Sequence, residues 1–154
     1  MRTLFSSVVR YVAAVMCAGA PAFAQEASCL PDKPRRGVVS SVDERLELTL
    51  EGGVRLRLSG VEAARATASS PHLPREGRDA LREWLVGREI EYSSPTAAPD
   101  RWGRLEARVA ATVPAGGAPV AVASAIIDAG LARALPEAGT RGCITELLRA
   151  EAAA

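Results

Sequence analysis

The chain has 154 residues, 24% of them charged, and a formal net charge of +1. That balance excludes the broad basic excess of a protein that holds nucleic acid by overall charge, so any anion binding must come from a local cluster. The length suits one domain that buries about two thirds of the surface its unfolded chain exposes.

Residues 1–24 read as an export signal. Arg2 and Arg10 give a basic start, residues 11–20 form a short apolar run, and Ala22-Phe23-Ala24 supplies small residues for a cut after Ala24. The run is too short to cross a bilayer, and no later stretch has the length of a membrane helix. Met16 stands before Cys17 where lipidation needs a small residue, so Cys17 is expected to leave with the signal. The mature protein is therefore expected to be a periplasmic or secreted monomer without a membrane span. Without the signal, acids outnumber bases by one, and Lys33 is the only lysine. The arginine excess reads first as coding bias and only second as a preference for phosphate. Cys29 and Cys143 remain near the two ends and are expected to pair in an oxidising compartment. Two distant cysteines and one histidine offer no metal-ligand spacing.

Residues 25–36, with Pro31 and Pro34, read as an extended lead-in to a single domain over residues 37–154. The stretch 37–42 (GVVSSV) is β-prone. Leu46, Leu48 and Leu50 then alternate with Glu47 and Thr49, Glu51-Gly52-Gly53 breaks the run, and Val54, Leu56 and Leu58 alternate with Arg55 and Arg57. Period-two alternation on both sides of a glycine turn predicts a β-hairpin with one apolar face. With the leucines facing a core, Glu47, Thr49, Arg55 and Arg57 are expected on the opposite side. After Gly60 the chain delivers Glu62 and Arg65 in a polar turn close to Arg57. Residues 63–74 read as a loop whose single histidine, His72, is expected to be solvated.

Residues 75–86 carry Ala80, Leu81, Trp84 and Leu85 at helical spacing, with Gly87 as the stop signal and Trp84 as a core anchor. Residues 89–94 and 105–113 alternate as a fourth and fifth strand around a loop over 95–103. A Gly/Pro turn at 114–119 leads to a helix over 120–129 closed by Gly130, and 144–153 forms a last helix. Three strands, a helix, two strands and two helices make an α+β domain. A five-stranded open β-barrel of the oligonucleotide-binding (OB) type fits that order best, and such barrels commonly bind nucleic acid.

Asp100-Arg101-Trp102-Gly103-Arg104 resembles the D-[RK]-[YW]-G-R motif of thermonuclease-like (staphylococcal-nuclease-like) domains. ELTLEGGVRLRLSGVEAAR is similar to that family's D-T-L-T-L…V-R-L-x-G-I-D-A-P-E segment, IIDAGLAR to its L-V-x-x-G-L-A-R helix end, and ELLRAEAA to its closing helix. The resemblance runs from about Gly37 to the C-terminus. It implies an OB-type barrel with three helices and, in active members, calcium-dependent cleavage of DNA and RNA. That chemistry uses a cation held by aspartates, a carboxylate that helps activate water, and two arginines on the phosphate.

Carried over by position, Arg57 and Arg104 fall on the phosphate-binding arginines. Glu62 stands for a metal-binding aspartate, Ala64 replaces a proline, and Arg65 replaces the candidate general base. The D-G-D-T turn reads Glu44-Arg45-Leu46-Glu47, which puts Leu46 (or Arg45, aligned one residue earlier) where an aspartate would hold calcium. Calcium takes about six to eight oxygens, and an arginine is no base near neutral pH. The resemblance therefore implies a remnant site of Arg57, Glu62 and Arg104, no cofactor, a weak metal remnant at Glu62, and calcium only if the copy is active. Arg57, Arg65 and Arg104 are expected to converge on one anion-binding pocket.

Three functions follow. The first is a non-catalytic binder of single-stranded nucleic acid, a nucleotide, another anion or an envelope partner. The second is a working nuclease rebuilt around Glu62 with Glu44 or Glu47. The third is an interaction module whose arginines pair with surface acids. Within any of the three, Arg104 can cap a turn or pair with Asp100, and Trp102 is expected to pack over its loop rather than stack on a base.

Overall fold

Eight strands and three helices lie within the residues that the computed structural model describes, 28–112, 117–136 and 143–154. The expected export signal, its cut after Ala24 and the end of the fifth expected strand at residue 113 lie outside them. In chain order the elements are β1 (Arg35–Val42), β2 (Leu48–Leu50), β3 (Arg55–Leu58), β4 (Val61–Ala63) and α1 (Leu73–Leu85). Then come β5 (Glu89–Ser93), β6 (Arg104–Ala111), β7 (Val120–Ala121), α2 (Val122–Asp128), β8 (Ala132–Ala134) and α3 (Ile144–Ala153).

The expected hairpin is β2–β3, antiparallel with Leu48 opposite Leu56 and Thr49 opposite Arg55. Gly52 and Gly53 turn it at φ +89° and +84°, a left-handed pair that side chains rarely tolerate. β1 pairs with β2 through Val39 and Val42 and with β5 through Arg35 to Val38, and an irregularity between Val39 and Ser41 lets one strand bend to serve two neighbours. β5 pairs antiparallel with β6. β6 then lies parallel to β3, Arg55 beside Arg104 and Leu58 beside Ala107, which closes a five-stranded mixed barrel in the order β3-β2-β1-β5-β6. The α+β barrel with three helices is thus present, closed rather than open. Alternation within each strand carries no record of this parallel seam.

The interior is aliphatic. Leu48, Leu56 and Ile90 from the barrel meet Leu81 and Leu85 of α1, Ile126 and Ile127 of α2, and Leu147 of α3, all essentially inaccessible. Each such side chain contributes about 1.5–3 kcal/mol by leaving water. Trp84 is partly buried against this core. α1 begins at Leu73, two residues before the sequence pattern, with Pro74 in its first turn where a missing N–H costs nothing. It also runs so close to the chain after α2 that a Cβ on Gly77 would lie 2.8 Å from the Leu131 carbonyl oxygen. Glu62, expected in a polar turn, instead sits in strand β4 (with Ala63, the first residue of the expected 63–74 loop), because β4 pairs with β8 as a small separate sheet. Residues 120–121, expected as helix, form β7 on the edge of β6.

Cys29 and Cys143 form the expected disulfide, with Cα atoms 4.7 Å apart. Beside it the Cys29 N–H donates to Glu146 Oε2 (3.0 Å) and the Ser124 hydroxyl to Glu146 Oε1 (2.6 Å), so the lead-in, α2 and α3 meet at one carboxylate. Among the described residues no helix is long and apolar enough to cross a membrane.

Candidate functional site

The site begins at the turn between β1 and β2. Asp43 Oδ1 accepts the backbone N–H groups of Arg45 and Glu47, each at 2.9 Å, and the Asp43 carbonyl accepts that of Leu46 at 3.1 Å. This fixes Leu46 at φ +62°, a left-handed conformation uncommon outside glycine, and sends its side chain into the core. The position that the resemblance gives to a calcium-binding aspartate therefore carries a core leucine.

The next residue departs from expectation. Glu47, expected on the polar side of the hairpin, precedes β2 and is only 4% exposed. The β3–β6 seam places Arg55 and Arg104 side by side, and both reach over it. Arg55 Nη2 donates to Glu47 Oε2 at 2.7 Å and Arg104 Nη1 to Glu47 Oε1 at 2.5 Å. Arg104 also donates through Nε to Asp100 Oδ2 (2.9 Å), while Asp100 Oδ1 accepts the N–H groups of Trp102 and Arg104. Arg55 Nη1 closes the ring by donating to the Trp102 carbonyl (3.3 Å). Glu47 is covered because two cationic side chains and the 100–104 turn fold across it, which alternation cannot register.

Hydrogen bonds to Asp100 and then Glu47 raise the Arg104 guanidinium above its ordinary value. Partial desolvation pushes the Asp100 carboxyl up. The Arg104 side chain, the two backbone N–H groups and the Arg104 charge outweigh this and hold it at about 2. A carboxyl depressed in the folded state adds stability above its unfolded value, and that stability is lost as pH falls toward the folded value. The stability difference between the wild type and Asp100→Asn is therefore expected to be constant near neutral pH. It is expected to shrink below about pH 4 and to be lost as pH falls through about 2, read from urea midpoints across pH. A difference that persists unchanged at pH 2 would exclude this linkage.

Arg57, Glu62, Trp102 and Arg104 line one cleft of about 450 Å³, with Glu47 in its wall. A second cleft of about 350 Å³ shares Arg57, Trp102 and Arg104 and adds Asp100 and Glu106. Trp102 stands between them, 55% exposed, with the Arg101 guanidinium 3.8 Å and that of Arg104 4.7 Å from its ring centre. The structure thus brings Arg57, Glu62 and Arg104 together. Arg65 is not among the residues lining either cleft. It lies largely in solvent and donates to Glu62 Oε1 (2.9 Å), so the expected meeting of three arginines reduces to Arg57 and Arg104. Arg133 holds the other Glu62 oxygen at 3.5 Å. The Arg65 hydrogen bond and charge, helped by Arg133, draw the Glu62 carboxyl below its ordinary value. His72 is exposed at the start of α1.

These residues do not fit a calcium ion. The Leu46 side chain offers no oxygen, Glu62 is held by Arg65 and Arg133, Glu47 by Arg55 and Arg104, and Glu44 faces solvent and pairs with Arg78. Among the described residues no three His, Cys, Asp or Glu side chains gather as metal ligands would. Arg55 and Arg133 join the site beyond the residues expected for it. Arg55 was marked by its alternation with Arg57, whereas Arg133 sits on a three-residue strand that leaves no periodic signal.

No protein-family model matches the chain, and no curated protein matches it.

Proposed function

We propose that this protein is an exported, non-catalytic thermonuclease-like domain that binds single-stranded nucleic acid across Trp102. The observation that carries this reading is the exposed indole flanked by Arg101 and Arg104, set between two clefts that share Arg57 and Arg104. An exposed aromatic ring accepts any base, and stacking contributes about 1–3 kcal/mol per base. Arginine forks suit the phosphates on either side. Glu47 and Asp100 already hold Arg104, so it serves mainly to position the indole. Arg45 and Arg101 are exposed beside it and Arg57 lines both clefts, so a few cationic groups border the indole, which supports modest, salt-sensitive affinity. The unsuitable calcium donor set and Arg65 in place of a base support binding without cleavage. The Cys29–Cys143 bridge supports an oxidising compartment, periplasmic or extracellular.

The test uses end-labelled single-stranded DNA with the purified protein, in calcium and in chelator. Intact DNA in both conditions is expected, with binding by fluorescence anisotropy that weakens as salt rises. Trp102→Ala is expected to weaken that binding roughly tenfold, the equivalent of one lost stacked base. Calcium-dependent cleavage abolished by Arg57→Ala would overturn the non-catalytic assignment. Binding indifferent to Trp102→Ala would overturn the indole's role.

A further inference from the structure

We infer that the open cleft lined by β7, α1, α2 and α3 is a second binding site, one that takes a small organic cation carrying an apolar group. The cleft measures about 570 Å³ and shares no lining residue with the clefts around Trp102, so the inference stands apart from the proposed function. Its volume falls within the range of small-molecule sites, about 300–1,000 Å³. Trp84, Val120 and a series of alanines on β7, α2 and α3 form its apolar walls.

The polar groups in this cleft have one sign. Asp128 and Glu146 line it, and among the described residues no arginine or lysine does. Glu146 is fixed in place, one oxygen accepting the Ser124 hydroxyl and the other the Cys29 N–H. A carboxylate offers about four lone-pair positions, so two single hydrogen bonds leave it acceptor capacity. Asp128, at the end of α2, is exposed and forms no ion pair or hydrogen bond among the described residues. An anionic ligand would meet two like charges in a largely apolar cavity, and a neutral one would make no use of Asp128. An alkyl- or arylammonium ion satisfies every wall. Its hydrocarbon covers the alanines, its charge faces the two carboxylates, and the Trp84 indole favours a nearby cation.

The test is a titration of the isotope-labelled protein, followed by backbone amide shifts, with hexylammonium, hexanol and hexanoate at constant ionic strength. Hexylammonium is expected to saturate in roughly the millimolar range, as befits so few atoms, with shifts concentrated at Ser124, Ala125, Ala129 and Ala150. Hexanoate is expected to give no saturable shift. Asp128→Asn, a change at an exposed residue whose fold the same spectra verify, is expected to weaken hexylammonium about threefold and to leave hexanol unchanged. Equal responses to all three probes, or hexylammonium binding indifferent to Asp128→Asn, would overturn the inference. So would a concentration-dependent dimer in sedimentation that places a second copy on this face.

Discussion

Replacing Glu47 by alanine is expected to lower stability by about 3 kcal/mol, measured as a loss in the urea-unfolding free energy. The effect comes from what the substitution leaves behind. Arg104 has its side chain 13% exposed and donates one of its hydrogen bonds to Glu47; Arg55 has its side chain 42% exposed and donates another. Without the acid, one largely buried guanidinium keeps only Asp100, and two adjacent cations face each other across the β3–β6 seam. Removing one partner of a buried pair costs about 3–5 kcal/mol, and the partial solvation of Arg55 places this case at the low end. Apolar replacement of both partners is a different experiment. Glu47→Leu combined with Arg104→Met is expected to recover part of the loss, because the two least exposed charges leave together while Asp100 and Arg55 keep access to solvent. If Glu47→Ala stays within about 0.5 kcal/mol of the wild type, as ordinary surface changes do, the network is decoration.

The second large effect is the loss of the bridge. Serine at both Cys29 and Cys143 is expected to destabilise the fold by about 4–5 kcal/mol, since the link spans 114 residues and long closed loops restrict the unfolded chain most. For a domain of this size that is a fall in Tm of about 10–20 °C. The bridge also anchors the Cys29 N–H that Glu146 accepts, so its loss loosens the contact between the lead-in and α3. Thermal unfolding with and without reductant checks the prediction. Reductant is expected to lower Tm in the wild type and to leave the double serine variant unmoved. A wild-type Tm indifferent to reductant would show that the bridge does not constrain the unfolded chain. The bridge and the Glu47 network share no residue, so the two losses are expected to add.

Much of the barrel was legible because it is written in local period. Leucines at every second position around Gly52-Gly53 specify a hairpin, and Gly87 and Gly130 end helices at positive φ where the sequence places stop signals. The elements that escaped are those too short for any period, β4 and β8 at three residues and β7 at two. The site divides along the same line. Arg57, Glu62 and Arg104 are placed by motif and do share a cleft. Glu47 reads as an outward charge because alternation gives its side of the strand and says nothing of what lies over that side. Only the seam between residues 55–58 and 104–107 brings in the second arginine that covers it. The resemblance puts Arg65 in the pocket, at the position of the general base, but it turns to Glu62 itself, a partner three residues back along the chain.

The β3–β6 seam sets Arg55 directly beside Arg104, so barrel closure presses two like charges together, and one acid from the turn before β2 accepts a hydrogen bond from each. Positions 47, 55 and 104 consequently behave as a single inherited unit. A descendant that loses the acid at 47 is left with two apposed cations, and a descendant that loses either arginine leaves the acid half uncovered. Each single step is deleterious, while a concerted exchange for apolar residues is tolerated. Divergence at these three positions should therefore be slow and joint, even where the exposed charges around them drift one at a time.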